Sequence, residues 1–247
     1  IYLQLKYSFM IKSLSINNLS YYYNKKKVFD DLNFNLYSGE FTVLLGNNGA
    51  GKTTLFSLIT SLLRIQTGKI NVFDNCVVTN PTKALSKIGV VFQASTLDLD
   101  LTVEQNLYYF SGLQGFSRNE SSSSIKKVIE FMNLSSFKNK KIRAMSGGER
   151  RRVEVCRAIL NNPPLLLMDE ATANIDIHTR NIVLEKLHDL VKVEKASVLW
   201  STHHVEEIEE NDRIIILNKG RIIEDDKKKN LLKKFNKSIR DILLDFE

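Results

Sequence analysis

The sequence predicts an α/β fold: a mostly parallel core sheet, preceded by an N-terminal antiparallel β subdomain and interrupted by an inserted α-helical subdomain. Three observations carry this prediction. Apolar runs of strand length alternate with helical patterns late in the chain, and such alternation implies parallel strands joined by right-handed crossovers. A glycine-rich loop joins an apolar run to a helical pattern, and the middle of the chain is mostly helical in pattern. With 247 residues, 43% of them apolar, the chain can bury the core of one large domain with a smaller insertion.

The first regular segment reads as a small antiparallel sheet. Apolar and polar residues alternate from Ile11 onward, and Leu32–Leu36 alternates strictly. A period of two residues is typical of a half-buried strand. Residues 1–9 precede Met10 and are expected to be an upstream extension. A fully apolar strand, Phe41–Leu45, comes next.

A phosphate-binding loop follows that apolar strand. It matches the pattern G-x-x-x-x-G-K-[ST] in the residues Gly46, Asn47, Asn48, Gly49, Ala50, Gly51, Lys52, Thr53 and Thr54. Glycines let successive N–H groups face phosphate oxygens, and the following helix adds its positive end. We expect Lys52 to reach the β- and γ-phosphates and the Thr53 hydroxyl to bind Mg²⁺. A chance glycine-rich turn is the alternative, but the strand before the loop and the helix after it favour a nucleoside triphosphate site.

The helix after the loop is predicted to run to Leu63, because Leu55, Leu58, Ile59, Leu62 and Leu63 recur at helical spacing. Two strands follow at Lys69–Phe73 and Ile88–Phe92, and the second ends at Gln93. The β and RecA-like core is therefore predicted to occupy 10–93 and to resume at 162–225.

Segment 94–161 is predicted to form the helical subdomain. Thr102 and Gln105 fit a capping box, and an apolar helical face consists of Ile125, Val128, Ile129 and Met132. The serine run Ser121–Ser124 fits a flexible linker or a helix start equally well.

The core sheet is predicted to resume with three strands, of which the first two are each followed by a helix: Leu165–Asp169, Ser197–Ser201 and Arg213–Leu217. Asn218–Arg221 reads as a hairpin turn. A helical tail, 226–247, completes the chain, and its apolar stripe is expected to pack on its own domain.

Composition and sequence patterns limit the classes of protein to which the chain can belong. No stretch approaches the roughly 18 apolar residues of a membrane span, and no secretory signal pattern begins the chain. The two cysteines, Cys76 and Cys156, argue against a disulfide framework and are expected to be buried thiols. The net charge of +7 fits nucleic acid or an anionic membrane surface, although solvated lysine-rich faces explain it more simply.

Four further motifs follow the loop in a fixed order: Gln93 at a strand end, Met145–Glu149 at a helix start, Leu165–Glu170 ending in two carboxylates, and Ser201–His203 at another strand end. This order resembles the nucleotide-binding subunit of an ATP-binding cassette (ABC) transporter, a P-loop NTPase. The resemblance covers the chain from Met10 to about residue 225.

The resemblance implies roles for these residues. Glu170 would polarise the attacking water, which is the work of a general base, and His203 would sense the γ-phosphate beside Lys52. Asp169 ends an apolar strand, where open parallel sheets bind ligands, and is suited to hold Mg²⁺. Thr53 and Gln93 complete the implied metal set, with ATP as the nucleotide.

Ser146, Gly147, Gly148 and Glu149 have two compatible interpretations. The pattern S-x-x-E is a capping box. By resemblance it is also the signature that contacts ATP held by a second subunit, so that two chains enclose two ATP molecules with twofold symmetry. Asp176 is implied to lie at the same interface. A homodimer is favoured, and a related partner chain stays open.

Tyr23 lies seventeen positions before Glu40, where the family places an aromatic residue that stacks on adenine. Its neighbours Tyr21 and Tyr22 leave this assignment open by one position. A GTPase needs N-K-x-D, and Asn218–Arg221 has arginine at the last place, which excludes GTP specificity. The sequence departs from the family in Ala171, in Glu149 and in the loop 173–176, none of which removes a phosphate or metal ligand.

The favoured function is an ATP-hydrolysing subunit that drives export through a separate integral-membrane permease, from the inner face of the cell membrane on the cytoplasmic side. The residues between Gly89 and Leu107 resemble the ABC-2 exporter group, especially ATP-binding subunits associated with PQQ-dependent alcohol oxidation. The alternative is a soluble cassette ATPase acting on DNA or ribosomes. The single cassette and the short distance between Lys52 and Ser146 disfavour it, so no direct contact with nucleic acid is expected.

Overall fold

The structure, a computed structural model, describes residues 11–246. The predicted extension 1–9 lies outside the described residues. Within 11–246, no helix is both long and apolar enough to cross a membrane.

The predicted antiparallel sheet is confirmed and has four strands in the order β2-β1-β4-β5. Its strands are β1 (Lys12–Tyr23), β2 (Lys26–Tyr37), β4 (Thr67–Val72) and β5 (Asn75–Cys76). The long hairpin β1–β2 reverses direction between Tyr23 and Lys26. Because Tyr23 is the last residue of β1, an inner strand, it lies at one end of this sheet, beside the turn into β2.

The predicted parallel core is also confirmed, in the order β10-β9-β3-β8-β7-β6. Its strands are β3 (Phe41–Leu45), β6 (Ile88–Val91), β7 (Leu165–Asp169), β8 (Ser197–Thr202), β9 (Arg213–Asn218) and β10 (Arg221–Lys227). All neighbours pair in parallel except β9 and β10, which form the predicted hairpin. The carboxyl ends of β3, β6, β7 and β8 therefore lie on the same side of the sheet, and four of the five predicted motifs follow these four ends.

Three helices occupy the region between β6 and β7: α3 (Val103–Leu113), α4 (Arg118–Phe131) and α5 (Gly147–Ile159). Each begins with a capping box, in which a Ser or Thr hydroxyl and a Glu or Gln side chain bind each other's backbone N–H. Thr102 forms the predicted one. Both interpretations of Ser121–Ser124 were wrong, because Ser117 caps α4 and the serine run lies inside the helix.

The helix after the phosphate loop is shorter than predicted. This helix, α1, spans Lys52–Ile59, and Ser61 has a left-handed φ of 58° that breaks the helical path. Leu62 is consequently 66% exposed. A short helix, α2 (Pro81–Leu85), follows β5.

One predicted helix is missing. Helix α6 (Ile177–Glu194) follows β7 as expected, but β8 is followed only by a single 3-10 turn, Val205–Glu207. Only residues 203–212 separate β8 from β9, and this turn is their one helical segment.

The tail forms two helices, α7 (Lys228–Phe235) and α8 (Ile239–Leu244). As predicted, their apolar residues pack on the chain's own core: Leu231, Ile239 and Ile242 are buried in the same cluster as Trp200. Of the two cysteines, Cys156 is buried and Cys76 is half-buried. Both are free thiols, and the expectation that both are buried holds for Cys156 but was wrong for Cys76.

Candidate nucleotide-binding and hydrolysis site

A cavity of about 690 Å³ lies at the shared carboxyl edge of the core strands. It is lined by Tyr23, Lys26, Lys27, Val28, Asn48, Gly49, Gly51, Lys52, Thr53, Thr54, Gln93, Glu170, His203, Lys219 and Gly220. Four of these side chains are lysines, which gives the cavity the positive charge that a polyphosphate requires.

The phosphate loop forms the floor of this cavity. Gly51 has a φ of 110°, and a Cβ on it would lie 2.8 Å from the Phe29 ring, so only glycine fits here. The Lys52 ammonium is buried and donates to the carbonyl oxygens of Gly46 at 2.6 Å and Asn47 at 3.3 Å. Burial lowers the pKa of Lys52, while the charges of Glu170 and Asp169 oppose that effect.

Asp169 is a buried carboxylate at the end of β7. Among residues 11–246, neither of its oxygens has a hydrogen-bond partner in good geometry, and the Ser201 hydroxyl is likewise unpaired. Burial raises the pKa of Asp169, whereas the nearby Thr53 and Ser201 hydroxyls oppose the rise. Buried polar atoms without partners are uncommon in native structures and indicate an ion or water in this position.

Glu170 leaves the strand in an unusual conformation. Rather than continuing the alternation of β7, it has a left-handed φ of 47°, and its N–H donates to the carbonyl of Ser201 at 3.0 Å. Its carboxylate accepts a hydrogen bond from Gln93 Nε2 at 3.0 Å and lies 3.7 Å from His203 Nδ1. Three residues far apart in sequence thus meet at one carboxylate.

Among the three tyrosines considered from the sequence, Tyr23 is the one that lines the cavity. It is 47% exposed and meets the buried Tyr21 edge to face, with ring centroids 5.1 Å apart. The Tyr22 ring instead contacts the ammonium of Lys27.

Several predicted site residues do not line this cavity. Gly46, Asn47 and Ala50 lie in the same loop but contribute no lining surface, and Ser146–Glu149 and Asp176 lie elsewhere. Glu149 closes its capping box with Ser146 and pairs with Lys140 at 3.2 Å. Asp176 caps α6 by accepting from the N–H and hydroxyl of Thr179.

Sequence reasoning missed Lys26, Lys27, Val28, Lys219 and Gly220. The first three follow Tyr23 around the β1–β2 hairpin, so their closeness to the aromatic position was the available signal. The other two lie in the β9–β10 turn, which reaches the cavity only because β9 pairs with β3. No local pattern marked that turn as part of a site.

Comparison with known proteins supports a nucleotide site. A family model described as "ABC transporter" matches residues 29–173. The chain is 36% identical over 212 residues to "Nod factor export ATP-binding protein I" of Rhizobium johnstonii, covering 85% of this chain and 68% of that protein. It is 35% identical over 211 residues to "Linearmycin resistance ATP-binding protein LnrL" of Bacillus subtilis, with the same coverage of 85% and 68%.

Solved structures share the fold. An ATP-binding subunit of an ABC transporter superposes with a TM-score of 0.84 at 24% identity, covering 94% of this chain and 98% of that one. A bacterial ABC transporter cassette solved as a dimer has a TM-score of 0.75 at 27% identity, covering 87% and 98%. The same cassette has been solved in a post-hydrolysis state bound to ADP and Pi. Because the family match spans more than half of the sequence and the curated relatives share over a third of their aligned residues, this chain belongs to the ABC transporter family, as an ATP-binding subunit of the ABC ATPase type.

Proposed function

We propose that the chain hydrolyses ATP to drive export through a separate membrane permease, and that Glu170 is the general base. The contact set of Glu170 carries this proposal. Its carboxylate lies between Gln93 and His203 at the edge of a cavity floored by the phosphate loop. A base must stand within hydrogen-bond reach of the attacking water, and this position faces the place where a γ-phosphate would bind.

In this proposal the remaining cavity residues bind and orient the nucleotide. Lys52 exchanges its carbonyl partners for the β- and γ-phosphates, and the loop N–H groups donate hydrogen bonds to the phosphate oxygens. The exposed Tyr23 ring stacks on adenine. His203, whose side chain is 48% exposed, contacts the γ-phosphate.

We also propose that Asp169, Thr53 and Gln93 hold Mg²⁺. The support is chemical: the two unpaired, buried carboxylate oxygens of Asp169 lie beside the Thr53 hydroxyl, and Mg²⁺ prefers oxygen ligands. Bound there, the ion would neutralise charge on the phosphates.

The second half of each ATP site is proposed to come from another copy of the chain. Ser146 and Gly147 are exposed at the N-terminus of α5, outside the cavity of their own subunit, as is Asp176. A helix N-terminus favours an anion, and in the proposed homodimer it closes on ATP bound by the partner. The related cassette solved as a dimer supports this arrangement.

Export is supported by the relatives, which are described as a Nod factor export protein and a linearmycin resistance protein. Neither description mentions DNA or ribosomes. We propose that the chain lies on the cytoplasmic face of the membrane. There its permease would dock on the proposed helical subdomain, 94–161, which interrupts the core, 10–93 and 162–225. The finer likeness to ABC-2 subunits of PQQ-dependent alcohol oxidation stays a prediction.

The decisive experiment replaces the base. Glu170→Gln keeps the shape of the side chain but removes its basicity, so we expect ATP hydrolysis to fall by at least about a hundredfold. Because ATP then persists, the variant should elute as a dimer in MgATP, measured by size-exclusion chromatography with light scattering. Glu210→Gln, in an exposed turn, is the matched control and should hydrolyse ATP like the wild type.

Hydrolysis by Glu170→Gln at the wild-type rate would overturn the assignment of the base. Export is tested separately by purifying the chain from detergent-solubilised membranes. A multi-span membrane protein in the eluate supports the proposal, whereas nucleic acid or ribosomal protein in its place would favour the alternative.

A further inference from the structure

Glu207 is a fully buried carboxylate that the proposed mechanism does not use. It ends the 3-10 turn Val205–Glu207, four residues after His203, and its side chain is 0% exposed. A buried carboxylate costs free energy unless it is paired and hydrogen-bonded. Its partners therefore indicate what this residue does.

Three other segments supply partners to Glu207. The Thr172 hydroxyl donates to Oε1 at 2.5 Å, and the indole Nε1 of Trp200 donates to Oε2 at 3.0 Å. The guanidinium Nε of Arg180 forms an ion pair with Oε1 at 3.4 Å. We name these four residues the Glu207 cluster.

The cluster joins the two segments that carry the reacting groups. Thr172 lies two residues after Glu170, and Glu207 four residues after His203. Trp200 belongs to β8, which leads into His203, and Arg180 lies in the first turn of α6, which the segment after Glu170 enters. The side chains of Thr172 and Glu207 therefore connect the two segments, in addition to the backbone hydrogen bond from the Glu170 N–H to the Ser201 carbonyl.

Glu170 has a backbone conformation that the hydrogen bond between Thr172 and Glu207 can help to hold. A left-handed φ of 47° is unfavourable for glutamate and persists only where the surroundings hold it. The segment after it is tightly held: Ala171 and Thr172 are almost fully buried, and the Ala173 N–H donates to the Glu170 carbonyl at 3.0 Å. Loss of the Thr172 contact would release the backbone two residues from the proposed base.

From this geometry we infer that Glu207 is a positioning residue, which sets the distance between the Glu170 carboxylate and the His203 ring by holding both segments. It does not line the nucleotide cavity, so it acts through Thr172 and its own turn. The inference rests on the proposed roles of Glu170 and His203.

The experiment compares Glu207→Gln with Asp212→Asn. Asp212 is also a buried carboxylate; it pairs with His188, accepts a hydrogen bond from the Glu209 N–H and does not line the cavity. We expect Glu207→Gln to lower kcat about ten- to a hundredfold, because small displacements of a reacting group are costly, with KM for ATP within about twofold. Asp212→Asn should lower the Tm by about as much as Glu207→Gln does, but it should leave kcat unchanged.

Trp200 provides a readout that does not depend on activity. It is the single tryptophan of the chain, and its indole N–H touches the Glu207 carboxylate. Its fluorescence emission should therefore differ between the wild type and Glu207→Gln, and should match the wild type in Asp212→Asn. Identical emission in all three proteins would overturn the inference.

A kcat for Glu207→Gln equal to that of Asp212→Asn would also overturn it. If Glu207→Gln does not fold, Thr172→Val and Trp200→Phe each remove one donor, and wild-type kcat in both would refute the inference. Failure of the proposed function looks different: Glu170→Gln would then hydrolyse ATP normally, while the Trp200 emission would still report the contact.

Discussion

At the scale of single residues, Glu170 has a carboxylate that meets Gln93 and His203 and a backbone with a left-handed φ of 47°. The sequence predicted the carboxylate pair at the end of β7 and the phosphate loop that contains Lys52. It did not reveal the left-handed φ of Glu170, because that conformation is imposed by the bond to Ser201 and by the packing of Ala171. Sequence neighbours would have favoured continued alternation of the strand.

Lys52 is expected to contribute to nucleotide affinity more than any exposed lysine. Its buried ammonium has two carbonyl partners, which charged phosphate oxygens would replace. Removing a hydrogen bond to a charged group costs about 1.5–3 kcal/mol. Lys52→Met should therefore raise the Kd for ATP about ten- to a hundredfold, measured by isothermal titration calorimetry.

The control for this measurement is Lys83→Met, which removes an exposed lysine from α2. Its Kd should equal that of the wild type. An unchanged Kd in Lys52→Met would show that the ammonium does not contact the phosphates.

At the scale of elements, helix starts were encoded locally and helix ends were not. Capping boxes at Thr102 and Ser146 depend on residues three positions apart, so the sequence displays them directly. The end of α1 at Ile59, ahead of the left-handed Ser61, and the single 3-10 turn after β8 have no such local sequence signal. Periodicity therefore predicted α1 longer than it is.

Helix α5 is fixed to the segment that carries Gln93. The Arg151 guanidinium donates to the carbonyls of Phe92 at 2.8 Å and Gln93 at 3.1 Å, and to Glu154 at 2.6 Å. This arrangement connects α5, through the backbone of Gln93, to the side chain that contacts Glu170.

Arg151→Met should destabilise the protein, because it removes the ion-pair partner of the buried Glu154 carboxylate and leaves Arg157 as the cation that still interacts with it. Breaking a buried ion pair in this way costs about 3–5 kcal/mol, measurable as the free energy of unfolding in urea. Arg151→Lys should be intermediate, since an ammonium cannot bridge both carbonyls. Arg118→Met, which changes an exposed arginine at the start of α4, serves as the control. The prediction would be contradicted if Arg151→Met lowered the free energy of unfolding by no more than Arg118→Met does.

At the scale of the whole molecule, a buried histidine links α6 to the start of β9. His188 stacks on Phe41 with ring centroids 4.0 Å apart, and its ring nitrogens meet the Leu184 carbonyl and Asp212. Burial alone would lower the pKa of His188, but the Asp212 hydrogen bond and charge, the Leu184 carbonyl and Glu209 together raise it. Lys192, 4.0 Å from Glu209, is the nearby cation.

A raised pKa in the folded state makes stability depend on pH. The stabilisation from His188 is complete below its unfolded pKa of about 6.5 and disappears as pH rises through the higher folded value. The free energy of unfolding should therefore fall from pH 6 toward pH 8 and above, by about 1.4 kcal/mol for each unit of pKa elevation.

His188→Gln should remove this component of the pH dependence, as measured by urea unfolding across that range. The control is His178→Gln, which changes an exposed histidine in the first turn of α6 and should leave the pH dependence of unfolding unchanged. The same slope in the wild type and in His188→Gln would contradict the prediction.

The sequence by itself determined the fold class, the order of the motifs and the chemistry each motif brings, because strand period, capping and the phosphate loop depend on residues a few positions apart. Only the tertiary structure decided that Gln93, Glu170 and His203 meet at one carboxylate, that the turn at Lys219 reaches the cavity, and that Glu207 joins the segments that carry Glu170 and His203. These contacts arise from the strand order β9-β3-β8-β7-β6. Strand order brings together residues distant in sequence, and no local pattern records it.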